Sequence, residues 1–219
     1  MKKEKLNAFM GLFLIVMSFV VVSYLIQTNP ESVEDLVAQI PITDFGTVFV
    51  LIVIIGTIFV PLTFLPIIPI TTFLYGWVLT GFFILIGQII GSIIAFGISR
   101  KYGLPLVSRI VSMEDIDKYE SKLPEGNLFW AIVFIRIALP LDVLSYILGL
   151  FGKLRFRIFA LATLLGLIPS SFMLAYLGGL ELKYQLIAFA MFVIVILIGY
   201  GLDVRYRQPN KLKKLSSNK

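Results

Sequence analysis

The feature that most limits what this chain can become is a set of long apolar runs with no charge inside them. A helix that crosses the hydrocarbon core of a bilayer needs about 20 mostly apolar residues. Four runs meet that requirement: Asn7–Ile26, Gly81–Ser99, Ile158–Leu177 and Tyr184–Leu202. Across all 219 residues, 58% are hydrophobic and 15% charged, where soluble domains average about 45–50% and about 25%. That composition excludes a soluble globular enzyme, a disordered chain and a fibre. The expected fold class is all-α: a polytopic membrane protein with four transmembrane helices. The first run follows Lys2, Lys3 and Lys5 but is too long for a signal-peptide core, and no A-x-A-like site follows it, so it reads as a retained anchor.

Two further apolar stretches are broken. Phe45–Leu79 is too long for one span and contains Pro61, Pro66 and Pro69; Leu128–Phe151 contains Arg136, Pro140 and Asp142. Proline removes a backbone donor and clashes with the preceding turn. Broken backbone at membrane depth is tolerated only where protein or a wet cavity surrounds it. Both stretches therefore read as re-entrant helical hairpins.

The basic residues support this count. All but two of the 19 lysines and arginines lie at the N-terminus, between Arg100 and Lys122, between Lys153 and Arg157, or in the tail from Arg205. The connection Gln27–Asp44 has none and carries Glu31, Glu34, Asp35 and Asp44. Four spans plus two re-entrant segments bring every basic cluster to one face, the cytoplasmic one by the positive-inside rule. Counting each broken stretch as a full crossing strands Arg100–Lys122 on the opposite side. Both termini are thus expected in the cytoplasm. The basic tail serves as a topology signal and not as a nucleic-acid site, and Tyr24, Trp77, Tyr102 and Trp130 fit interfacial anchors. Two short amphipathic helices complete the scheme. One starts at Asn29-Pro30 with Val33, Leu36, Val37 and Ile40 on one face; the other starts at Ser112 with Met113, Ile116, Tyr119 and Leu123.

The broken stretches echo each other. Pro69 precedes Tyr75 by six residues, with Gly76 next; Pro140 precedes Tyr146 by six, with Gly149 shortly after. Opposed hairpins of this kind form an inverted repeat, which in transporters puts a site at the bilayer midplane between broken helices. Gly87 and Gly91 form a close-packing G-x-x-x-G, assigned to packing within the chain.

Only Arg136 and Asp142 are ionisable and lie inside an apolar stretch. Charges at that depth cost from about 2.5 to more than 10 kcal/mol, so they pair or face a cavity. They flank Pro140 on opposite arms of one break. The pair either locks the hairpin or binds a headgroup or proton; Arg136, with its planar fork, suits a phosphate. With no His and no Cys, Ser–His proteolysis and Cys chemistry are absent. A lone Asp142 cannot make an aspartyl-protease dyad, and no phosphate-binding G-x-x-x-x-G-K-[ST] is present. No enzyme activity, cofactor or metal is expected.

The residues also carry a resemblance. Pro61–Gly76 with Leu65-Pro66 and Tyr75-Gly76, then Gly87, Gly91 and Arg100-Lys101-Tyr102-Gly103, resembles the first half of the DedA superfamily core. The run Arg136-Ile-Ala-Leu-Pro140-Leu-Asp142-Val-Leu-Ser-Tyr146-Ile-Leu-Gly149, then Phe156, Phe159, Gly166, Pro169 and Leu177-Gly178, resembles the second half. The closer branch is the SNARE-associated Golgi type, with its VTT domain, over about Pro61–Gly179. The resemblance implies two opposed re-entrant hairpins and a role in lipid homeostasis: phospholipid scrambling, or flipping of a polyprenyl phosphate. Arg136, Pro140, Asp142 and Gly149 match the Golgi-type pattern. Bacterial members often place an acidic residue in the first hairpin, whereas Val60–Gly76 here is uncharged.

The expected organisation is an anchor with its outer connection (1–44), a core (45–179), a last span (180–202) and a basic tail (203–219). The expected substrate-binding residues are Arg136 and Asp142. Breaks and packing are assigned to Pro66, Pro69, Tyr75, Gly76, Gly87, Gly91, Pro140, Tyr146 and Gly149. The expected function is movement of an anionic phospholipid or polyprenyl phosphate across a bacterial inner membrane, with membrane lipids as partners. A proton-coupled solute transporter and a non-transporting membrane organiser remain the alternatives.

Overall fold

The computed structural model describes residues 2–37, 41–59, 63–105, 107, 128–138, 143–150 and 154–194. In chain order these form α1 (Lys2–Thr28), α2 (Pro30–Val37), α3 (Ile42–Ile58), a 3₁₀ turn (Leu65–Ile67), α4 (Ile68–Tyr102), α5 (Leu128–Ala138), α6 (Val143–Leu150) and α7 (Phe156–Gly179). A further helix, α8 (Leu182–Ile194), follows. The described residues are helical throughout their regular structure, as expected for backbone that must satisfy its own hydrogen bonds in an apolar solvent. By length and composition, two described segments suffice to cross a membrane, Leu65–Tyr102 and Phe156–Gly179. The other apolar helices are shorter. The chain divides into two compact units, one ending at Gly179 and one starting at Leu180.

The first broken stretch folds back on itself. After α3 the chain turns through Phe64–Ile67 and returns as the first helical segment of α4. Pro66 lies in the first turn of the 3₁₀ element and Pro69 in the first turn of α4. There a missing N–H costs nothing. Pro69 was expected at the break; instead it starts the return arm. The return ends beside the place where α3 begins: the Tyr75 ring stacks on Phe45, with centroids 6.4 Å apart. It also meets Phe83 edge-on at 5.2 Å.

At Gly76 the chain reverses again, with φ 73° and ψ 163° inside what is otherwise one long helix. Only glycine enters this region without strain. A Cβ built at Gly76 meets nothing within 4 Å, so the requirement is conformational and not steric. Gly76→Ala is expected to cost about 1–3 kcal/mol, read as a lowered midpoint of thermal unfolding in detergent. An unchanged midpoint would show that the reversal does not depend on glycine. The break inside α4 therefore lies at Gly76, and the long helix starts at Trp77, earlier than the expected Gly81.

From Trp77 onward α4 runs alongside α3 in the same direction. Phe83 lies by Gly46, Gly87 by Val53, and Gly91 by Thr57. The G-x-x-x-G motif is used within the chain: a Cβ at 87 would come within 2.6 Å of Val53 and one at 91 within 2.7 Å of Thr57. Gly103, with φ 67°, ends α4 and donates its N–H to Ser99 O, a common helix stop.

α7 runs antiparallel to this part of α4. Gly81 faces Phe172, Gln88 accepts a hydrogen bond from Ser171, and Phe96 stacks on Phe159 with centroids 4.1 Å apart. The arms then cross over. The return arm of α4 packs on the end of α7, where Thr72 Oγ1 donates to Ala175 O and Gly178 abuts Ile68. α6 packs on the end of α4, where Ser99 Oγ donates to Tyr146 O and Gly149 abuts Phe96. Each short arm is clamped to the long helix of the other half.

The charges separate along the same axis. Arg100 and Lys101 end α4, and Arg100 reaches Leu154 O at 2.8 Å, beside Arg155 and Arg157. Asp44 begins α3 at the opposite end. α2 starts at Pro30, as the capping pattern indicated. The second amphipathic helix, from Ser112, lies outside the described residues. In the unit from Leu180, Glu181 and Lys183 form an exposed 2.6 Å ion pair, and Gln185 Nε2 donates to Leu180 O. An exposed pair of this kind adds little stability.

Candidate functional site

The apolar interior contains one described cation, and its setting starts with a glycine. α7 carries Gly166 where it crosses α5. A Cβ there would fall 2.7 Å from Arg136 Cβ and 3.2 Å from Val133 O. The missing side chain lets the two helices approach until Arg136 must turn its long stem along α7 and toward α6. It is 1% exposed. One terminal guanidinium nitrogen donates to Ser145 Oγ at 2.7 Å, and the guanidinium carbon lies 5.6 Å from the centre of the Phe159 ring. A cation over an aromatic face is attracted to the ring's negative quadrupole, more strongly when water is excluded. A neutral hydroxyl and an aromatic ring are thus among the groups that hold Arg136, both on elements that follow it in the chain.

The residue after Ser145 joins the halves. Tyr146 is buried, and its hydroxyl donates to Ile58 O at 2.7 Å. Ile58 is the last residue of α3, so its carbonyl lacks an intrahelical partner. The tip of the first broken stretch is thus capped by a side chain 88 residues later. Gly149, one turn on, lets α6 sit against the Phe96 carbonyl and Ser99.

The expected site residues are distributed as follows. Arg136, Tyr146 and Gly149 converge in the second half. Gly87 and Gly91 seat α3 on α4, while Tyr75 and Gly76 shape the reversal at the far end. Pro66 and Pro69 start the return arm. Asp142 and Pro140 lie outside the described residues, and with them the expected Arg136–Asp142 pair. Sequence reasoning assigned no role to Thr57 and quoted Ser145 and Phe159 only within the family resemblance. Thr57 alone left a trace, as the one hydroxyl in the apolar run Val48–Phe59. No signal marks Ser145 or Phe159 as neighbours of Arg136, because serine and phenylalanine are ordinary residues of apolar helices. No cluster of metal-ligating side chains occurs among the described residues.

Chemically, the arrangement presents a permanently charged, planar donor buried where α5, α6 and α7 meet. It suits an anion. Among known families, the model of the VTT domain matches residues 60–180, more than half of the chain. The match begins at the tip of the first broken stretch and ends with α7. Compared with curated proteins and with solved structures, the chain matches none.

Proposed function

This chain belongs to the VTT-domain (DedA) family of membrane proteins, and from that premise we propose that it moves an anionic lipid, a phospholipid or a polyprenyl phosphate, from one leaflet to the other. The observation that carries this reading is Arg136: a guanidinium 1% exposed, held by Ser145 and Phe159 where two helix–break–helix units meet. A charge kept in an apolar interior at such cost marks a functional site by default. Its planar donor set matches phosphate.

In the proposed membrane arrangement, α1, the long part of α4, α7 and the last helix cross the bilayer. The stretches 45–75 and 128–150 enter from opposite faces and return. Three observations support it. The segment from Trp77 to Tyr102 is about 39 Å long at 1.5 Å per residue, enough for a core of about 30 Å. Trp77, Tyr176 and Phe172 cluster at one end of the α4–α7 pair, with Trp77 and Tyr176 centroids 5.8 Å apart; aromatic rings of this kind collect at membrane interfaces. Arg100, Lys101, Arg155 and Arg157 collect at the other end, as a cytoplasmic face requires. Short arms that stop at mid-depth leave a thinned barrier, where a headgroup meets Arg136 instead of hydrocarbon.

The test is leaflet exchange. Reconstituted vesicles carrying a headgroup-labelled phosphatidylglycerol are treated with a membrane-impermeant quencher. The expected result is quenching of nearly all the label, against about half in protein-free vesicles, with an imposed proton gradient run in parallel. Quenching that stops at half in both conditions would remove lipid transfer as the function.

A further inference from the structure

The packing contains a second, matching position. In the second half, a Cβ at Gly166 would meet Val133 O at 3.2 Å and Arg136 Cβ at 2.7 Å. In the first half, a Cβ at Gly91 would meet Ile54 O at 3.0 Å and Thr57 Cβ at 2.7 Å. In both, a long-helix glycine touches a carbonyl on the first arm of a hairpin and the side chain three residues later; Gly87 repeats the pattern with Val50 O at 3.1 Å and Val53 Cβ at 2.7 Å, but of the two first-half side chains only Thr57 carries a polar atom. This places Thr57 on α3 where Arg136 stands on α5. Its neighbour Ile58 receives the Tyr146 hydroxyl, and Tyr146 adjoins Ser145, the partner of Arg136. The two positions are linked through consecutive residues of both halves.

Thr57 is 0% exposed, and its Oγ1 has no hydrogen-bond partner. Elsewhere in these helices, Ser18, Thr28, Thr71 and Ser170 bond back to a carbonyl three or four residues earlier, the usual solution for a helical hydroxyl. Thr57 does not, and neither do Ser92, next to Gly91, and Thr163, one turn before Gly166. Unpaired buried hydroxyls are uncommon. Of the five among the described residues, which include Ser23 and Thr80, three flank the two matched glycines, on three different helices.

We propose that Thr57 is the first-half counterpart of Arg136 and that its hydroxyl donates a hydrogen bond to the phosphate that Arg136 holds. The proposal rests on the anionic-lipid reading above and adds a residue from the opposite half. The pairing assigns different tasks: Arg136 supplies charge, and Thr57 supplies a neutral donor that selects phosphate oxygens.

Binding tests this separately from transfer. The full chain in detergent is titrated with dihexanoyl phosphatidylglycerol, with dihexanoylglycerol as the phosphate-free control and inorganic phosphate as the free anion. In the wild type, the phospholipid is expected to raise the unfolding midpoint and dihexanoylglycerol to leave it unchanged. Thr57→Val, which keeps the shape and removes the hydroxyl, is expected to unfold at the same or a higher temperature without ligand. Its affinity for the phospholipid should fall about tenfold, the scale of a hydrogen bond to a charged group. Thr57→Ser should recover most of it. An equal response to inorganic phosphate supports the contact and assigns it to free anion. Wild-type affinity in Thr57→Val, a lowered ligand-free midpoint in that variant, or no phospholipid response in the wild type each overturns the proposal. Binding without exchange overturns only the transfer reading; exchange with unaltered Thr57→Val binding overturns only this one.

Discussion

Arg136→Met is expected to slow exchange of the labelled anionic lipid by about 10- to 100-fold while the protein stays folded. Methionine fills much of the arginine's space without its charge. Losing a hydrogen bond made to a charged group costs about 1.5–3 kcal/mol, which at 1.4 kcal/mol per decade gives that range. Methionine keeps much of the packing volume and removes the desolvation cost of the charge. Ser145 Oγ and the Phe159 face, both neutral, are among the groups left behind. Exchange rate and unfolding midpoint are measured on the same preparation. Unchanged exchange in a folded Arg136→Met protein would take Arg136 out of the mechanism. A collapse of the midpoint with no exchange would show that the arginine locks the fold.

Gly149→Ala is expected to be the most destabilising single methyl in the described residues around the site. The added Cβ would fall 2.6 Å from the Phe96 carbonyl oxygen and 2.7 Å from Ser99 Cβ. Backbone cannot swing aside as a side chain can, so α6 must lift off α4, and the Ser99–Tyr146 bond goes with it. Overpacking of this kind costs about 1–3 kcal/mol and sometimes more, which for a chain of this size is a drop of about 2–12 °C. Gly97→Ala is the control. A Cβ at that position meets nothing within 4 Å, and alanine is the better helix former by about 1 kcal/mol, so its midpoint should hold or rise. Equal effects at 149 and 97 would show that α6 does not depend on this close approach.

Much of the architecture was legible in the order of residues. The helical runs and the separation of charge follow from local chemistry: hydrocarbon tolerates only backbone that bonds to itself, and a charge at depth is costly wherever it sits. Arg136 was conspicuous for that reason. The positions of the breaks were less legible. Pro69 attracted attention as a breaker, yet a proline in a first helical turn is compatible with the helix, and the second reversal fell at Gly76. Glycine and proline both interrupt a pattern, but only φ and ψ show which one does.

The apolar periods, the missing His and Cys, the broken stretches and the single described cation among apolar residues were determined by the sequence itself, because each depends on neighbours a few residues away. The partners of that cation were decided by tertiary structure alone. Ser145, Phe159 and Gly166 reach Arg136 from two other elements, Tyr146 caps α3 across 88 residues, and Thr57 matches Arg136 only when Gly91 and Gly166 are seen to play the same part. These relations depend on how closely helices approach, and that distance is set where one backbone meets another.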